Sequence, residues 1–470
     1  MEAIILNIVT SINSYLWNYI LVFILIGLGL FFTIKTKFVQ IRCFGEGCRN
    51  VFGKMLDKSK NKNGISSFQA FATAVAAQVG TGNIVGASGA ILVGGPGAIF
   101  WMWVIAFFGM ATIYAEAILA QKTRVVNEDG TVSGGPVYYI KKAFNNKFGK
   151  FLAGFFAVAA ILALGFMGAM VQSNSIGEAC ASAFGIPAWG VGLVLVAVST
   201  LIFLFGVKGI AKFSEKIVPI MAMLYLVGGI IIIGLRIQYI PETFGMIFKY
   251  AFEPEAILGG GIGAAILQGA KRGLFSNEAG MGSTPHAHAL ADVKDPHTQG
   301  TSAMISVFID TFVVVTMTAI IVISTLYAGK GGAPVLDGIV KTNAVQEAFK
   351  TIFTGDIGAK ISGIFVAICL TFFAFSTIIS WNLFGKINME YLFGKKSGIV
   401  YSIIAIGFIF LGSCLSNDLV WELTDTFNGL MVLPNAIALI ALSGLVVCVK
   451  RSKGKRSVDS LQNEGNDTDK

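Results

Sequence analysis

Charged side chains are scarce in this sequence. Asp, Glu, Lys and Arg make up 13% of its 470 residues, about half of the roughly 25% that is usual in soluble domains. Hydrophobic residues account for 55% of the chain and form long uncharged runs. The composition therefore excludes an ordinary soluble domain and predicts a polytopic membrane protein.

Residues that commonly hold transition metals or carry out catalysis are also few. The chain has three His and six Cys. Cys43 and Cys48 have no second Cys pair, and His286 and His288 have no evident third ligand, so the sequence predicts no zinc site. No Ser/His/Asp group or pair of carboxylates indicates catalysis. We therefore expect neither an enzyme nor a cofactor.

Basic residues are in excess, but their distribution argues against nucleic-acid binding. The net charge is +9, and 27 of the 35 Lys and Arg residues lie in alternate loops and the C-terminal tail, whereas six lie in the intervening loops. Cytoplasmic loops of membrane proteins carry such an excess. The split predicts a multi-pass protein of the cell membrane, embedded in the lipid bilayer, with its N-terminus outside and its C-terminus in the cytoplasm.

Eleven apolar runs are predicted to be transmembrane helices. They lie near 15–35, 66–94, 96–121, 150–180, 187–207, 213–236, 256–283, 298–327, 357–385, 399–416 and 427–449. The amphipathic run 240–252 is expected to lie along the membrane interface.

The order of these runs predicts four regions. Residues 1–64 form an anchor helix and a basic cytoplasmic loop, and 65–236 form five helices. Residues 237–449 form the interfacial helix and five more helices, and 450–470 form a disordered tail. Two sets of five helices cross the membrane in opposite directions, as in the inverted repeats of secondary transporters. The predicted fold is all-α, with a ten-helix core and one extra N-terminal helix.

Two of the runs, the first in each set of five, contain residues that weaken helices. "QVGTGNIVGASGA" (78–90) carries four glycines, and "GLFSNEAGMGS" (273–283) is also rich in Gly. Each Gly destabilises a helix by about 1 kcal/mol relative to Ala, so we predict that both helices are discontinuous. Close helix packing explains a single Gly-rich run, but two runs at matching positions favour a substrate site.

Such breaks expose backbone groups to a ligand. N–H groups at the start of one half-helix bind a carboxylate, and carbonyls at the end of the other bind an ammonium group or a cation. Together these groups make a receptor for a zwitterion, and Gln78, Asn83 and Asn277 are candidates to bind its amine.

A cluster of hydroxyls lies in the run 357–385. Ser376, Thr377 and Ser380 fall within about one helical turn. With nearby carbonyls, these hydroxyls form an oxygen cage for a monovalent cation, and bonds back to their own helix are the alternative.

Ionisable residues inside membrane spans are costly and indicate function. Asp310 lies deepest and is either a functional group or a buried polar tie. Glu278 lies in the second break, where a direct role and a pairing with Arg272 both remain open. Lys271 and Arg272 precede this break and either attract an anionic group or close an outer gate with an acid.

Several segments resemble the family of alanine or glycine:cation symporters. The resemblance covers nearly the whole chain and is carried by residues 66–120, "SGGPVYYI" (133–140), "GAKRGLFSNEAGMGSTPHAHALA" (269–291) and "FAFSTIISWNLFG" (373–385). It implies a leucine-transporter-type fold and uptake of alanine or glycine coupled to sodium, with proton coupling as the alternative. A channel and a membrane enzyme fit less well, and the simplest expectation for the oligomeric state is a monomer.

The resemblance also implies the site residues. Those expected at the substrate are Gln78, Gly80, Thr81, Gly82, Asn83, Asn277, Gly280, Met281, Thr377 and Trp381. Those expected at the sodium ion are Ala77, Gly80, Ser376, Thr377 and Ser380. Gln78 replaces the Thr or Ser common in the family, and "SWNLFG" replaces the commoner "GWSYYG"; both changes bear on which amino acid is preferred.

Overall fold

The structure is a computed structural model that describes residues 2–53, 64–128, 130–203, 206–253, 263–330 and 334–446. The predicted disordered tail, 450–470, lies outside these residues.

The described residues are almost entirely helical. The first half contains α1 Glu2–Lys35, α2 Val39–Arg42, α3 Phe44–Phe52, α4 Ser67–Gln78, α5 Gly82–Gly94, α6 Ala98–Thr123, α7 Pro136–Ala143, α8 Lys147–Phe184, α9 Ala188–Phe203 and α10 Gly206–Leu235. The second half contains α11 Ile240–Ala251, α12 Ala264–Asn277, α13 Pro285–Ala289, α14 Pro296–Leu326, α15 Ala344–Lys350, α16 Asp356–Phe393, α17 Ser397–Gly412 and α18 Asn417–Ala441. Two short strands, β1 Val125–Val126 and β2 Val132–Ser133, pair antiparallel.

Seven of these helices are long and apolar enough to cross a membrane, and the bent pair α4 and α5 makes an eighth span. The seven are α1, α6, α8, α10, α14, α16 and α18. Helices α9, α12 and α17 lie where the sequence predicts the remaining three spans, and the total of eleven stays a prediction. The amphipathic run 240–252 is helical, as α11, and buries Thr243, Ile247 and Ala251 along one side.

The core is formed by helices that are apolar on all sides. Helix α6 packs against α1, α12 and α14, and α16 packs against α8 and α10. A helix without a polar face is stable only when surrounded by protein or lipid. Helix α17 lies at the periphery, where Ile399 and Ile403 are more than 60% exposed. Such side chains are expected to contact lipid.

The first predicted discontinuity is confirmed. Helix α4 begins at a capping box in which the Ser66 hydroxyl accepts from the Gln69 N–H and the Gln69 side chain accepts from the Ser66 N–H. It ends at Gln78, and α5 starts at Gly82 with its axis turned by 46°. The first turn of α5 is a π-helix, Gly82–Gly86, a form that is frequent at functional sites.

The second predicted discontinuity is also present. Helix α12 ends at Asn277, and the next residue, Glu278, has a φ of 58°. Gly280 and Gly282 follow with φ of 91° and 83°, values that glycine adopts without steric cost. The helical path resumes as α13 at Pro285, so the chain here cannot be one continuous helix.

The N-terminal helix is bound to the last helix of the bundle. In α1, the Asn13 side chain donates to the Glu422 carbonyl at 2.8 Å and to the Glu422 carboxylate at 2.6 Å. The Thr426 hydroxyl donates to Asn13 Oδ1 at 2.9 Å. A few turns along α18, Gly429 packs against α1, where an added Cβ would lie 2.6 Å from a Leu21 methyl group. The predicted anchor is therefore an integral part of the packing.

Candidate functional site

At the first break, between α4 and α5, side-chain oxygens accept hydrogen bonds from backbone N–H groups. The Gly80 N–H donates to Asn83 Oδ1 at 2.9 Å, and the Thr81 N–H donates to Gln172 Oε1 at 3.1 Å. Gln172 lies on α8 and is buried. Its Nε2 and the Thr81 hydroxyl are buried without a hydrogen-bond partner among the described residues. Polar groups thus converge on the start of α5, where an anion is favoured by the helix dipole.

The predicted cation-site residues meet at the end of α4. Thr377 Oγ1 lies 2.9 Å from the Ala76 carbonyl and 3.2 Å from the Ala77 carbonyl. Ser376 Oγ lies 3.4 Å from the same Ala76 oxygen. Both hydroxyls also contact the Phe373 carbonyl of their own helix, at 2.9 Å for Ser376 and 3.1 Å for Thr377. The carbonyls freed by the break and the hydroxyls of α16 are therefore adjacent.

Gly80 packs closely against Thr377 and Gln172. A Cβ at Gly80 would lie 2.4 Å from Thr377 Oγ1 and 3.2 Å from Gln172 Oε1. Ser380, one turn along α16, is fully buried, and its hydroxyl has no partner among the described residues. The structure thus brings Ala77, Gly80 and Thr377 together, with the unpaired Ser380 hydroxyl one turn away on α16 among the described residues.

The two breaks contact each other directly. Gln78 Nε2 donates to the Asn277 carbonyl at 2.6 Å, and Gln78 Oε1 is buried without a partner among the described residues. Gly82 packs against the backbone at the end of α12, since an added Cβ at Gly82 would lie 3.0 Å from Ser276 Cα. Asn277 donates to the Thr311 hydroxyl of α14 at 3.3 Å.

Asp310 is placed between the two breaks. Its carboxylate accepts from Asn83 Nδ2 at 2.5 Å, from Ser276 Oγ at 2.9 and 3.0 Å, and from Thr311 Oγ1 at 2.8 Å. The residue is fully buried on the π-helical segment Phe308–Val315 of α14. Of the two roles the sequence left open, the geometry supports at least that of a buried polar tie.

Trp381 is held by the second break. Its indole N–H donates to the Glu278 carboxylate at 2.6 Å, and the Ser283 hydroxyl donates to the same carboxylate. The ring contacts Phe275 edge-on, with centroids 5.9 Å apart. It packs so closely on Gly168 that an added Cβ there would lie 2.4 Å from the ring. The Trp381 ring is therefore held both by its packing and by the hydrogen bond of its indole N–H.

The suggested pairing of Glu278 with Arg272 is wrong. Arg272 instead forms an ion pair with Asp425 of α18 at 3.1 Å, and Lys271 contacts the same carboxylate at 2.8 Å. The αL conformation of Glu278 directs its side chain to Trp381, whereas Arg272 stacks over the Trp421 ring at 4.7 Å. Of the two roles expected for Lys271 and Arg272, pairing with an acid agrees with this arrangement, and the acid is Asp425.

Gly280 and Met281, both predicted at the substrate, are held by contacts within the protein. The Gly280 N–H donates to the Glu116 carboxylate at 3.2 Å, and Asn435 bridges Glu116 and the Gly280 carbonyl at 2.5 and 2.9 Å. Met281 is fully buried. These contacts fix the backbone of the break, and none of them leaves a polar group of Gly280 available to a ligand.

The sequence does not predict that Gln172 and Asn435 belong to this region. Gln172 begins the polar stretch "QSNS" within an apolar run, and this stretch was the available signal. Asn435 stands alone among apolar residues of α18, so only its burial beside Glu116 reveals its role.

The arrangement places buried N–H and amide groups, freed carbonyls with adjacent hydroxyls, and a fixed indole ring around the two breaks. Groups of this kind bind a small zwitterion and an ion next to each other.

Comparisons with known proteins agree with this chemistry. A model of the sodium:alanine symporter family matches residues 1–463. The chain is 41% identical over 442 residues to the sodium/alanine symporter AgcS of Methanococcus maripaludis, covering 94% of this chain and 95% of that protein. It is 40% identical over 447 residues to the probable sodium/glutamine symporter GlnT of Bacillus subtilis, covering 95% and 90%.

Solved structures of other transporters share the fold. The crystal structure of MhsT in complex with L-phenylalanine aligns with a TM-score of 0.58 at 16% identity, over 82% of this chain and 99% of that chain. The predicted leucine-transporter-type architecture is thereby confirmed.

Proposed function

Because the chain belongs to the sodium:alanine symporter family, and is therefore a multi-pass secondary transporter rather than an enzyme, we propose that it imports alanine or glycine together with sodium. The observation that carries this proposal is the contact between the freed Ala76 and Ala77 carbonyls and Thr377 Oγ1, at 2.9 and 3.2 Å. This contact joins the broken helix to α16, and its three oxygen atoms would serve as ligands of a sodium ion.

The substrate carboxylate would bind at the start of α5. It would replace the Gln172 amide oxygen at the Thr81 N–H and accept from Gln172 Nε2, which has no partner among the described residues. The positive end of the α5 dipole favours a carboxylate here. The amine would bind Gln78 Oε1, which is buried and likewise without a described partner.

Trp381 would limit the size of the side chain. Its indole is locked by Glu278 and Gly168, so it cannot rotate away without breaking a buried hydrogen bond, which costs about 1–3 kcal/mol. A wall held in this way favours alanine and glycine over glutamine, although one relative is named a probable sodium/glutamine symporter.

The sodium ion would bind between Ala77, Gly80, Ser376, Thr377 and Ser380. Binding would draw the Thr377 hydroxyl away from its bond with the Phe373 carbonyl and complete the oxygen shell with Ser380. Because the ion would connect α4 to α16, its presence would favour the arrangement in which the substrate groups of the break are in place. Coupling then follows from one conformational equilibrium that both ligands bias.

Uptake into proteoliposomes tests this function. Radiolabelled L-alanine, D-alanine, glycine and L-glutamine are compared with and without an inward sodium gradient at constant pH. We expect sodium-driven accumulation of alanine or glycine and little glutamine uptake. Alanine uptake that is indifferent to sodium would refute the coupling ion, and preference for glutamine would refute the substrate class.

Proton coupling is the second candidate, and Asp310 is the observation in its favour. Its carboxylate is fully buried and accepts hydrogen bonds from three side chains, those of Asn83, Ser276 and Thr311, and no Lys or Arg of the described residues forms an ion pair with it. A proton gradient that drives alanine uptake without sodium, in the native protein but not in Asp310→Asn, would favour this candidate.

A further inference from the structure

A cluster outside the transport site combines a thiol, a carboxylate and an imidazole. One ligand atom from each of Cys43, Glu46 and His297 lies within 4.8 Å of the other two. Cys43 immediately precedes α3, Glu46 lies in its first turn, and His297 lies in the first turn of α14. The cluster therefore joins the segment after the anchor helix to a helix of the core.

The ligand types are those of a zinc site. Zinc binds Cys sulfur, His nitrogen and carboxylate oxygen, and three protein ligands leave a fourth position for water. Ligand atoms around one tetrahedral zinc ion lie roughly 3.3–3.8 Å apart, given bond lengths of about 2.0–2.3 Å. The distance from His297 Nε2 to Glu46 Oε1 is 3.5 Å, within this range. A thiol and an imidazole favour zinc over the oxygen-seeking calcium or magnesium.

The imidazole is already oriented from its other side. The Tyr114 hydroxyl lies 2.7 Å from His297 Nδ1, and Tyr114 is fully buried on α6. Metal-bound histidines usually donate a hydrogen bond from their second nitrogen, which holds the ring in place. With a metal at Nε2, the Nδ1–H group of His297 would donate to the Tyr114 hydroxyl oxygen. Nε2 is thereby the nitrogen that faces Glu46.

The backbone around the cluster is firmly held. Asn50 Nδ2 donates to the Thr301 hydroxyl at 3.0 Å, and Phe44 packs edge-on against Phe308 with centroids 4.8 Å apart. Gly47 lies so close to α14 that an added Cβ would be 2.7 Å from an Ile305 side-chain carbon. Helix α3 and α14 thus present the three ligands as a preorganised set.

We propose that Cys43, Glu46 and His297 form a binding site for a zinc-class divalent cation, with water as the fourth ligand. The thiol releases its proton to solvent on binding, so the ion meets a thiolate and a carboxylate. The bound ion ties α3 to α14, the helix that carries Asp310. The site does not depend on which amino acid or coupling ion the protein transports.

Cobalt binding gives a direct test on the purified full-length protein in detergent. A thiolate bound to Co²⁺ produces a ligand-to-metal charge-transfer absorption in the near ultraviolet. We expect this band to saturate at one Co²⁺ per chain and to disappear when Zn²⁺, which binds such sites more tightly, is added. A protein without the band, or with a band that Zn²⁺ leaves unchanged, would overturn the proposal.

Two cysteine variants assign the ligand. Cys43→Ser should lose the band, whereas Cys48→Ser, which changes a thiol outside the cluster, should keep it at full intensity. A band that survives Cys43→Ser would overturn the assignment. Elution as a single species and an unchanged melting temperature without metal check that each variant is folded.

A third variant tests the metal site even if Cys43→Ser fails to fold. Glu46→Gln removes one ligand charge from a partly exposed side chain, and we expect at least tenfold weaker Co²⁺ binding. Zn²⁺ should also raise the melting temperature of the native protein and of Cys48→Ser, but far less that of Glu46→Gln. Equal affinity in the native protein and Glu46→Gln would show that the contact with His297 is only an ion pair.

Discussion

The Asn83 side chain connects the first break to α14: its Oδ1 accepts from the Gly80 N–H at 2.9 Å, while its Nδ2 donates to Asp310 at 2.5 Å. One amide therefore positions the unwound backbone relative to a buried carboxylate. The same carboxylate accepts from Ser276 beside the second break. The Asn83–Asp310 pair therefore links the two breaks through α14, in addition to their direct contact between Gln78 and Asn277.

Asp310→Asn should impair transport without unfolding the protein. The new amide group places a second donor against Asn83 or Ser276, and an unsatisfied buried donor costs about 1–3 kcal/mol. We expect alanine uptake to fall by roughly tenfold or more. Initial uptake rates measure the effect, with Asp337→Asn, at an exposed position, as the control. Equal rates in both variants would contradict a role for the Asp310 carboxylate.

Thr377→Ala should weaken sodium dependence more than it alters amino-acid choice. The substitution removes the oxygen nearest the Ala76 and Ala77 carbonyls, and the loss of about 1–2 kcal/mol corresponds to roughly 5–30-fold weaker sodium activation. Sodium activation curves of alanine uptake measure this change. Thr377→Ser should restore most of the activity.

Thr371→Ala is the matched control on α16. Thr371 donates to the Ala367 carbonyl of its own helix and lies 3.9 Å from Cys180 Sγ, and it forms no hydrogen bond with the described residues of the break. An activation curve in Thr377→Ala that coincides with the Thr371→Ala curve would exclude the proposed cation ligand.

Gly80→Ala should abolish transport. The added methyl group would lie 2.4 Å from Thr377 Oγ1, so either the break or α16 must move, and both proposed ligands lose their geometry. Gly407→Ala provides the control, because an added Cβ at Gly407 has no atom within 4 Å. Alanine binding and uptake are measured for both. A Gly80→Ala protein that transports normally would show that this close approach is dispensable.

Asp425→Asn should destabilise the protein much more than Asp418→Asn. Asp425 is buried and pairs with both Lys271 and Arg272, and the loss of one partner from a buried pair costs about 3–5 kcal/mol. Asp418 is 76% exposed in its pair with Lys341, and exposed pairs contribute about 0–1 kcal/mol. Thermal unfolding in detergent compares the two variants, and similar melting temperatures would contradict a structural role for the Asp425 cluster.

Much of the fold and part of the site could be predicted from the sequence, because they depend on local composition. Gly80 and Gly82 weaken the helix whatever surrounds it, because their effect is on the local backbone. A long hydrophobic run likewise predicts a membrane span whichever helices it packs against. The two breaks accordingly agree with the expectation from composition, whereas the proximity of Thr377 to Ala77 was expected only from the family resemblance.

Partners distant in sequence could not be predicted. Arg272 pairs with Asp425 rather than Glu278 because α18 lies against α12 and the αL turn at Glu278 directs its carboxylate to Trp381. Likewise, His297 meets Cys43 only because α3 packs on α14. Charge and spacing along the chain contain no information about such packing.

The bond between Asn13 and Glu422 has a consequence for biogenesis. These residues are 409 positions apart, and a chain is synthesised from its N-terminus. The first helix therefore enters the membrane before its partner on α18 has been made. Asn13 gains its bonds to Glu422 and Thr426 only once α18 has been inserted. A nascent chain truncated before α18 would lack these bonds and should hold α1 less firmly than the complete chain does.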